Sequence, residues 1–339
     1  MAVGVDTSQY RGCWVFVEQD RGRPARVSLE LLGKGRELAG KLGVKLTAIV
    51  LGESLESLPR ELIAYGADTV LVADDPLLGD YRTEVYADIV AAAVLERKPE
   101  VLIVGATPIG RDLAPRLSFR LNAGCTADCT GLDIDEENRL FVSTRPAFGG
   151  NVLATIICPD HRPQMSTVRP GVMPLPERND GRSGEVVPLK VHLREEDVRV
   201  KILETVEAES EGIAIEDAER LVCVGMGGAD RETFDLITDL ARLLDAEVAA
   251  TRMAVEAGWL THDSQVGQTG RTVRPELYVA CGVSGAVQHT AGMTGSKIVV
   301  AINKNPKAEF FQYADYGIVG DLRKVLPALI AEIKALRGE

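Results

Sequence analysis

Aromatic residues make up only 5% of this 339-residue chain, with 2 Trp, 7 Tyr and 7 Phe. Its cores must then be built from Val, Leu, Ile and Ala, the composition of parallel sheets covered by helices. Basic residues are short as well: 38 Lys and Arg face 50 Asp and Glu, a formal net charge of −12. That balance argues against nucleic acid or anionic lipid as the main partner. No apolar run approaches the ~18 residues needed to cross a bilayer, so membrane insertion is not expected. Residues 1–12 carry neither the basic start nor the apolar stretch of a secretory signal, and the expected location is the cytoplasm. Six cysteines (Cys13, Cys125, Cys129, Cys158, Cys223 and Cys281) include no CxxC pair, so a disulfide scaffold is not expected. Cys125 and Cys129 stand four apart, but no second pair or neighbouring histidine completes a metal site, and none is expected. GxxxxGK[ST], HExxH and GxSxG motifs are all missing. With no acid–base pair aimed at a substrate, the chemistry falls to a bound cofactor.

What is present is an alternation of β-branched runs and helical spacings, in a chain long enough for two domains. Strands are expected at 13–17, 44–51, 69–73 and 101–104, with helices at 28–42, 58–65 and 84–97 between them. That order demands a parallel sheet with right-handed crossovers. Residues 105–112 form a Gly/Thr turn into a helix at 113–121, a tight connection or an anion site. Several short strands are expected over 129–157, as an extension of the first sheet. The stretch 162–194 holds five of the 16 prolines, and 195–219 carries ten acidic residues against two basic ones. This break divides the chain into domains at 1–205 and 206–339. The second domain repeats the pattern, with strands at 220–224, 247–250, 276–280 and 297–302 and helices at 233–244 and 322–336. The fold class is α/β: two domains, each a mainly parallel open sheet flanked by helices.

The candidate site lies in the second domain. Gly225-Met-Gly-Gly228 follows a strand and precedes a helix, as a phosphate-binding turn does. In Gln265-Val-Gly-Gln-Thr-Gly270, Gly267 and Gly270 permit close backbone approach, and Gln265, Gln268 and Thr269 supply donors and acceptors. Ser284-Gly285 before residues 286–289 reads as a serine cap opening a short helix, whose free N–H groups suit a pyrophosphate. Asn303 stands at a carboxyl strand end, where open α/β sheets bind ligands, and Asp321 caps the last helix. Arg252 closes a strand with no evident acidic partner, and His289 is one of only four histidines. Together these residues suit a planar, negatively charged cofactor.

Gln265-Val-Gly-Gln-Thr-Gly270, Arg274-Pro-Glu-Leu-Tyr278, Ser284-Gly-Ala-Val-Gln-His289, Val300-Ala-Ile-Asn303 and Ala314-Asp-Tyr-Gly-Ile-Val319 closely resemble the FAD domain of the electron-transfer flavoprotein α-subunit family. Upstream, Leu29-Glu-Leu-Leu-Gly33, Gly105-Ala-Thr107, Gly110-Arg-Asp112, Thr126-Ala-Asp-Cys-Thr-Gly131 and Thr144-Arg-Pro-Ala-Phe-Gly-Gly150 resemble it too, so the likeness spans about 13–336. The resemblance implies a heterodimer with a β subunit against which the first domain packs, and a Rossmann-like second domain holding FAD. It implies electron traffic from an acyl-CoA dehydrogenase or similar flavoenzyme. By the same resemblance Val266, Gly267, Gln268 and Thr269 contact FAD, as do Ser284, Gly285, Ala286, Val287, Gln288 and His289, with Asn303, Asp321 and Leu322. Thr251-Arg252 matches a pair whose arginine lies over the flavin ring. Arg252, Thr269 and His289 are then placed to tune its redox chemistry, His289 as a cation favoured by an anionic ring. Met226 departs from the family's Gly-Arg-Gly, which leaves phosphate binding to backbone N–H groups or to Arg231.

Residues 123–173, with Cys158-Pro-Asp-His-Arg-Pro-Gln-Met165, resemble versions from anaerobes that use NADH and a second FAD on the β subunit to bifurcate electrons to ferredoxin. A housekeeping carrier to a quinone oxidoreductase is the alternative. Outside the family, the rival readings are an NAD-binding module and a subunit that keeps the site for AMP.

Overall fold

The computed structural model describes residues 6–147, 152–191, 193–205 and 214–338. Residues 148–150 of the Thr144–Gly150 motif, and residue 206 at the expected start of the second domain, lie outside them. The chain divides into two compact units, Met1–Val206 and Glu207–Glu339.

The first unit opens with β1 (Cys13–Val17) and a hairpin of β2 (Gln19–Asp20) and β3 (Arg23–Pro24). It continues through α1 (Arg26–Leu42), β4 (Leu46–Gly52), α2 (Leu58–Ala64), β5 (Thr69–Asp74), α3 (Thr83–Arg97), β6 (Val101–Gly105) and α4 (Pro108–Arg120). Five more strands are β7 (Cys125–Cys129), β8 (Gly131–Asp135), β9 (Leu140–Ala147), β10 (Val152–Ile156) and β11 (Gln164–Val168), before β12 (Glu185–Pro188). Helix α1 buries Leu31, Leu32, Leu38 and Leu42 and stops at Gly43, whose φ of 64° supplies the left-handed turn. The main sheet runs β12-β5-β4-β1-β6-β11-β7, with every neighbouring pair parallel. Cys13, Val15 and Val17 face a core shared with α1 and α2. Trp14 and Phe16 face the opposite core with α3 and α4.

Two expectations need correction. Strands β8, β9 and β10 do not extend the main sheet; they form an antiparallel sheet of their own. Strand β8 and the first half of β9 alternate buried with less buried positions, and β10 has no buried position, whereas a central parallel strand is buried on both faces. The second correction is β11, an inner strand inside a stretch expected to be irregular. Its Gln164 and Ser166 are buried, which hid it from a hydrophobic scan. Gln164 satisfies its amide on β9 and the turn before it, accepting from Phe141 N (2.9 Å) and donating to Arg139 O (3.3 Å).

The 105–112 turn is occupied from within. Thr107 caps α4 by accepting from Gly110 N (3.0 Å) and donates to the carboxylate of Glu18. An internal carboxyl group thus stands at this helix start.

The second unit contains β13 (Arg220–Val224), α5 (Arg231–Leu243), β14 (Glu247–Ala250), α6 (Arg252–Glu256) and β15 (Leu277–Cys281). It ends with α7 (Val287–Thr290), β16 (Ile298–Asn303), β17 (Tyr316–Val319) and α8 (Leu322–Arg337). The sheet order is β14-β13-β15-β16-β17, parallel throughout. Helix α5 starts where Asp230 accepts from Thr233 N (3.1 Å) and Thr233 Oγ1 (2.8 Å). It packs with α8 on one face of the sheet. Tyr278, Val266 and Phe310 fill the other face. Among the described residues, no helix is long and apolar enough to cross a membrane.

Leu38 is fully buried and Leu336 is 86% exposed. Leu38→Ala should cost about 2–5 kcal/mol, and Leu336→Ala less than about 0.5 kcal/mol, in urea unfolding followed by circular dichroism.

Candidate functional site

In the second unit the chain runs outward from β13 to β14 on one side and to β15 on the other. This is a topological switch point, where ligands lodge beyond the carboxyl strand ends. The turns after these two strands interlock. Gly225 N donates to Cys281 O (2.9 Å) and Gly227 N to Gly282 O (3.1 Å). Gly282 has a φ of 68°, and a Cβ there would sit 2.7 Å from the Gly227 backbone. Only glycine lets the turns approach this closely.

Two cavities open above them. One, about 480 Å³, is lined by Met226, Thr251, Arg252, Gln265, Thr269 and His289, among others. The other, about 450 Å³, is lined by Asn303, Asn305, Lys307 and Glu309. Met226, Gly282, Ser284 and Ala286 border both, so the two are lobes of one crevice with a common wall. Ser284 and Ala286 stand on that wall, and the backbone N–H groups of Ser284, Ala286 and the intervening Gly285 have no hydrogen-bond partner among the described residues.

The 265–270 loop is tied down at several points. Val266 N donates to Ala250 O (2.9 Å) and Gln268 N to Gln288 O (2.7 Å). Buried Gln265 donates from Nε2 to Thr269 Oγ1 (3.1 Å). Thr269 Oγ1 thereby accepts, which leaves its own O–H to donate into the first lobe.

Several candidate residues sit otherwise than expected. Ser284 does not cap the short helix: α7 begins at Val287 with Ala286 in the cap position and no side-chain cap. Gly285, with a φ of 99°, turns the chain between them. Arg252 does have an acidic partner, Glu256 Oε1 at 2.7 Å one helical turn on. Both side chains are largely exposed, so the pair holds the guanidinium only lightly. Arg231 pairs with Asp235 and lines neither lobe. Asp321 spends its carboxylate on Arg323 N (3.0 Å), and Leu322 is packed in the core. Gln268, Gly270, Gly285 and Val287 shape the walls without lining a lobe. Asn303 lines the second lobe and fixes its rim, donating to Val283 O (2.8 Å) and accepting from Asn305 N (3.0 Å).

His289 differs most. It borders the first lobe, yet both ring nitrogens are used inside the protein. Nδ1 lies 3.0 Å from Val266 O and Nε2 lies 3.0 Å from Tyr278 Oη. A carbonyl can only accept, so Nδ1 carries the proton and Nε2 accepts from the tyrosine. Burial pushes the His289 pKa down to about 4, against a smaller opposing pull from the Val266 carbonyl. In the chain alone the ring is therefore neutral, whereas the expected cation was one favoured by an anionic flavin beside it. Burial also pushes the Cys223 thiol beneath it up to about 12 and the Tyr278 phenol well above its usual value.

Lys307 was not singled out by the sequence. Among the described residues it is the only Lys or Arg lining the second lobe, and its one signal is its place just beyond the carboxyl end of β16. No group of three or more metal-ligating side chains occurs among the described residues. An elongated two-lobed crevice of ligand size with open N–H groups midway fits a dinucleotide: a planar ring in one lobe, a nucleotide in the other, the diphosphate between.

Two family models match the chain, the electron transfer flavoprotein domain over residues 13–193 and the electron transfer flavoprotein FAD-binding domain over 214–294. The electron transfer flavoprotein subunit alpha of Thermoanaerobacterium thermosaccharolyticum is 53% identical over 330 residues, covering 97% of this chain and 100% of that one. The subunit of the same name from Clostridium acetobutylicum is 50% identical, covering 98% and 99%. The acryloyl-CoA reductase electron transfer subunit beta of Anaerotignum propionicum is 43% identical, covering 97% of each.

The His289 assignment has a pH consequence. Its folded pKa lies below the usual 6.5, so the unfolded chain takes up a proton first as pH falls. The stability this group contributes is complete above about pH 6.5 and is lost toward about pH 4, up to ~3 kcal/mol. Urea midpoints should therefore drop more between pH 7.5 and 5 in the wild type than in His289→Gln, which has no such proton to gain.

Proposed function

This chain belongs to the electron transfer flavoprotein α-subunit family, with FAD as its cofactor, and on that premise we propose that FAD occupies the two-lobed crevice at the switch point of the second unit. The observation that carries this reading is the open backbone at Ser284, Gly285 and Ala286 on the wall between the lobes. Those N–H groups receive the diphosphate, and Lys307 supplies the neutralising cation that Met226 cannot. Thr269 donates its hydroxyl toward the ring, and Arg252, released from an exposed pair with Glu256, is free to meet negative charge there. Neutral His289 anchors the 265–270 loop through Val266. When bound, FAD supplies the redox chemistry; the chain orients it, limits water around it and sets the charge near it.

The first unit then packs against a β subunit, as the family's heterodimers do, and the complex works in the cytoplasm. It carries electrons from an acyl-CoA dehydrogenase or similar flavoenzyme to an acceptor. The likeness to a subunit named for acryloyl-CoA reductase supports a partner of the acyl-CoA class. The resemblance of residues 123–173 to versions from anaerobes supports the NADH-driven, bifurcating form with ferredoxin as acceptor. Purified with its β subunit, the complex should reduce ferredoxin with NADH only when the partner flavoenzyme and an unsaturated acyl-CoA are present to accept the remaining electrons; no ferredoxin reduction even with both present would favour the housekeeping carrier.

The purified chain should be yellow and bind one FAD. A colourless protein that cannot be reconstituted with FAD counts against this reading and for an NAD or AMP module. Met226→Arg, on the common wall, should tighten FAD about tenfold through a new charged contact with the diphosphate. Unchanged or weaker affinity by flavin fluorescence would place the diphosphate elsewhere.

A further inference from the structure

A second built site lies in the first unit, at the amino ends of the strands and away from its switch point. Trp14, Thr47 and Thr69 stand in register across β1, β4 and β5. They share the sheet face that α3 covers. Trp14 is 3%, Thr47 8% and Thr69 9% exposed. The indole Nε1 and the two hydroxyls have no hydrogen-bond partner among the described residues. None of these atoms is sealed from solvent, and all three residues line a cavity of about 490 Å³. Nearly buried polar groups are ordinarily hydrogen-bonded; a row of three left without partners at a cavity wall is a set of donors waiting for an acceptor.

The rim supplies charge of the matching sign. Arg11, Lys45 and Arg97 line the same cavity. Among the described residues none of them has a carboxylate within ion-pair distance. Among the described residues the Arg11 side chain donates only to the carbonyl of its neighbour Tyr10 (3.1 Å). One carboxylate, on exposed Glu185, also lines it. A cluster of three cations with so little compensation stands out in a chain of net charge −12. Val44, Leu71 and Val187 complete the wall, leaving apolar room beside the donors.

We propose that this cavity is an anion-binding site for a phosphoryl group, held by the Trp14 N–H and the Thr47 and Thr69 hydroxyls and neutralised by Arg11, Lys45 and Arg97. Donor-only chemistry (an indole N–H, a guanidinium and an ammonium) beside two hydroxyls suits an oxyanion with several acceptor oxygens. The cavity exceeds what one phosphate fills, so a small organic phosphomonoester fits better than the free ion. The site is independent of FAD binding in the second unit, and either assignment can fail without the other.

The test uses the full-length, FAD-loaded chain carrying Trp259→Phe, so that Trp14 is the sole tryptophan reporter. Inorganic phosphate and glycerol phosphate are titrated separately at low salt, followed by Trp14 fluorescence and by ³¹P line broadening. Both signals should saturate, and affinity should fall at least tenfold in the isosteric Thr47→Val/Thr69→Val variant with its FAD content unchanged. It should also fall several-fold when the salt is raised, as screening requires. Tighter binding of glycerol phosphate identifies an organic phosphate as the ligand; equal binding identifies the phosphoryl group alone. Absence of a saturable response in the parent protein, or equal affinity in the threonine variant, overturns the proposal. If the double variant does not fold, Arg97→Gln at the exposed rim replaces it, with a several-fold loss expected and an unchanged affinity again contrary.

Discussion

The close approach of two strand-end turns is the constraint on which the second unit depends. Gly225 and Gly282 follow adjacent parallel strands, and the turns touch where any side chain would force them apart. Because they close against each other, they form a floor and leave the chain beyond Gly282 to rise as a wall. The open N–H groups of Ser284–Ala286 stand on that wall because α7 starts only at Val287 and no side chain caps it. A ligand with acceptor oxygens completes hydrogen bonding that the protein leaves incomplete. The same logic is absent from the switch point of the first unit, where Glu18 and Thr107 satisfy each other.

Beneath the crevice the protein avoids charge. Tyr278, His289 and Cys223 form a buried polar cluster in which each ionised state is disfavoured. A neutral imidazole with both nitrogens engaged is a rigid strut between the sheet and the 265–270 loop. Cations are instead kept at the edge, Arg252 lining one lobe and Lys307 the other. This separation lets the core stay dry while the rim adjusts its charge.

Much of this was legible in the sequence. The alternation of strands and helices located four of the seven strands of the first main sheet and four of the five of the second, because parallel strands are apolar on both faces and helices keep a 3.6-residue stripe. The Gly-rich segments at 225–228, 265–270 and 284–289 marked the crevice, because close backbone approach needs glycine. Strand β11 was not legible, since Gln164 and Ser166 are polar residues buried by partners far along the chain. The charge state of His289 was hidden for the same reason: its partners Val266 and Tyr278 are distant in sequence and become neighbours only through the fold. Local spacing also misassigned Ser284 as a cap, because the left-handed Gly285 was free to redirect the chain.

In the first unit the fold gathers polar groups that the sequence leaves apart. Trp14, Thr47 and Thr69 are unremarkable in sequence, each in a different strand, and only parallel register brings them into one row. In both units the informative feature is a donor without an acceptor. For the cofactor crevice, hydrogen–deuterium exchange of the chain with and without FAD tests the central claim most directly. Protection on FAD binding should concentrate at Gly225–Gly228, Gln265–Gly270, Ser284–Ala286 and Asn303–Glu309. Protection confined to the first unit, or none at Ser284–Ala286, would contradict it.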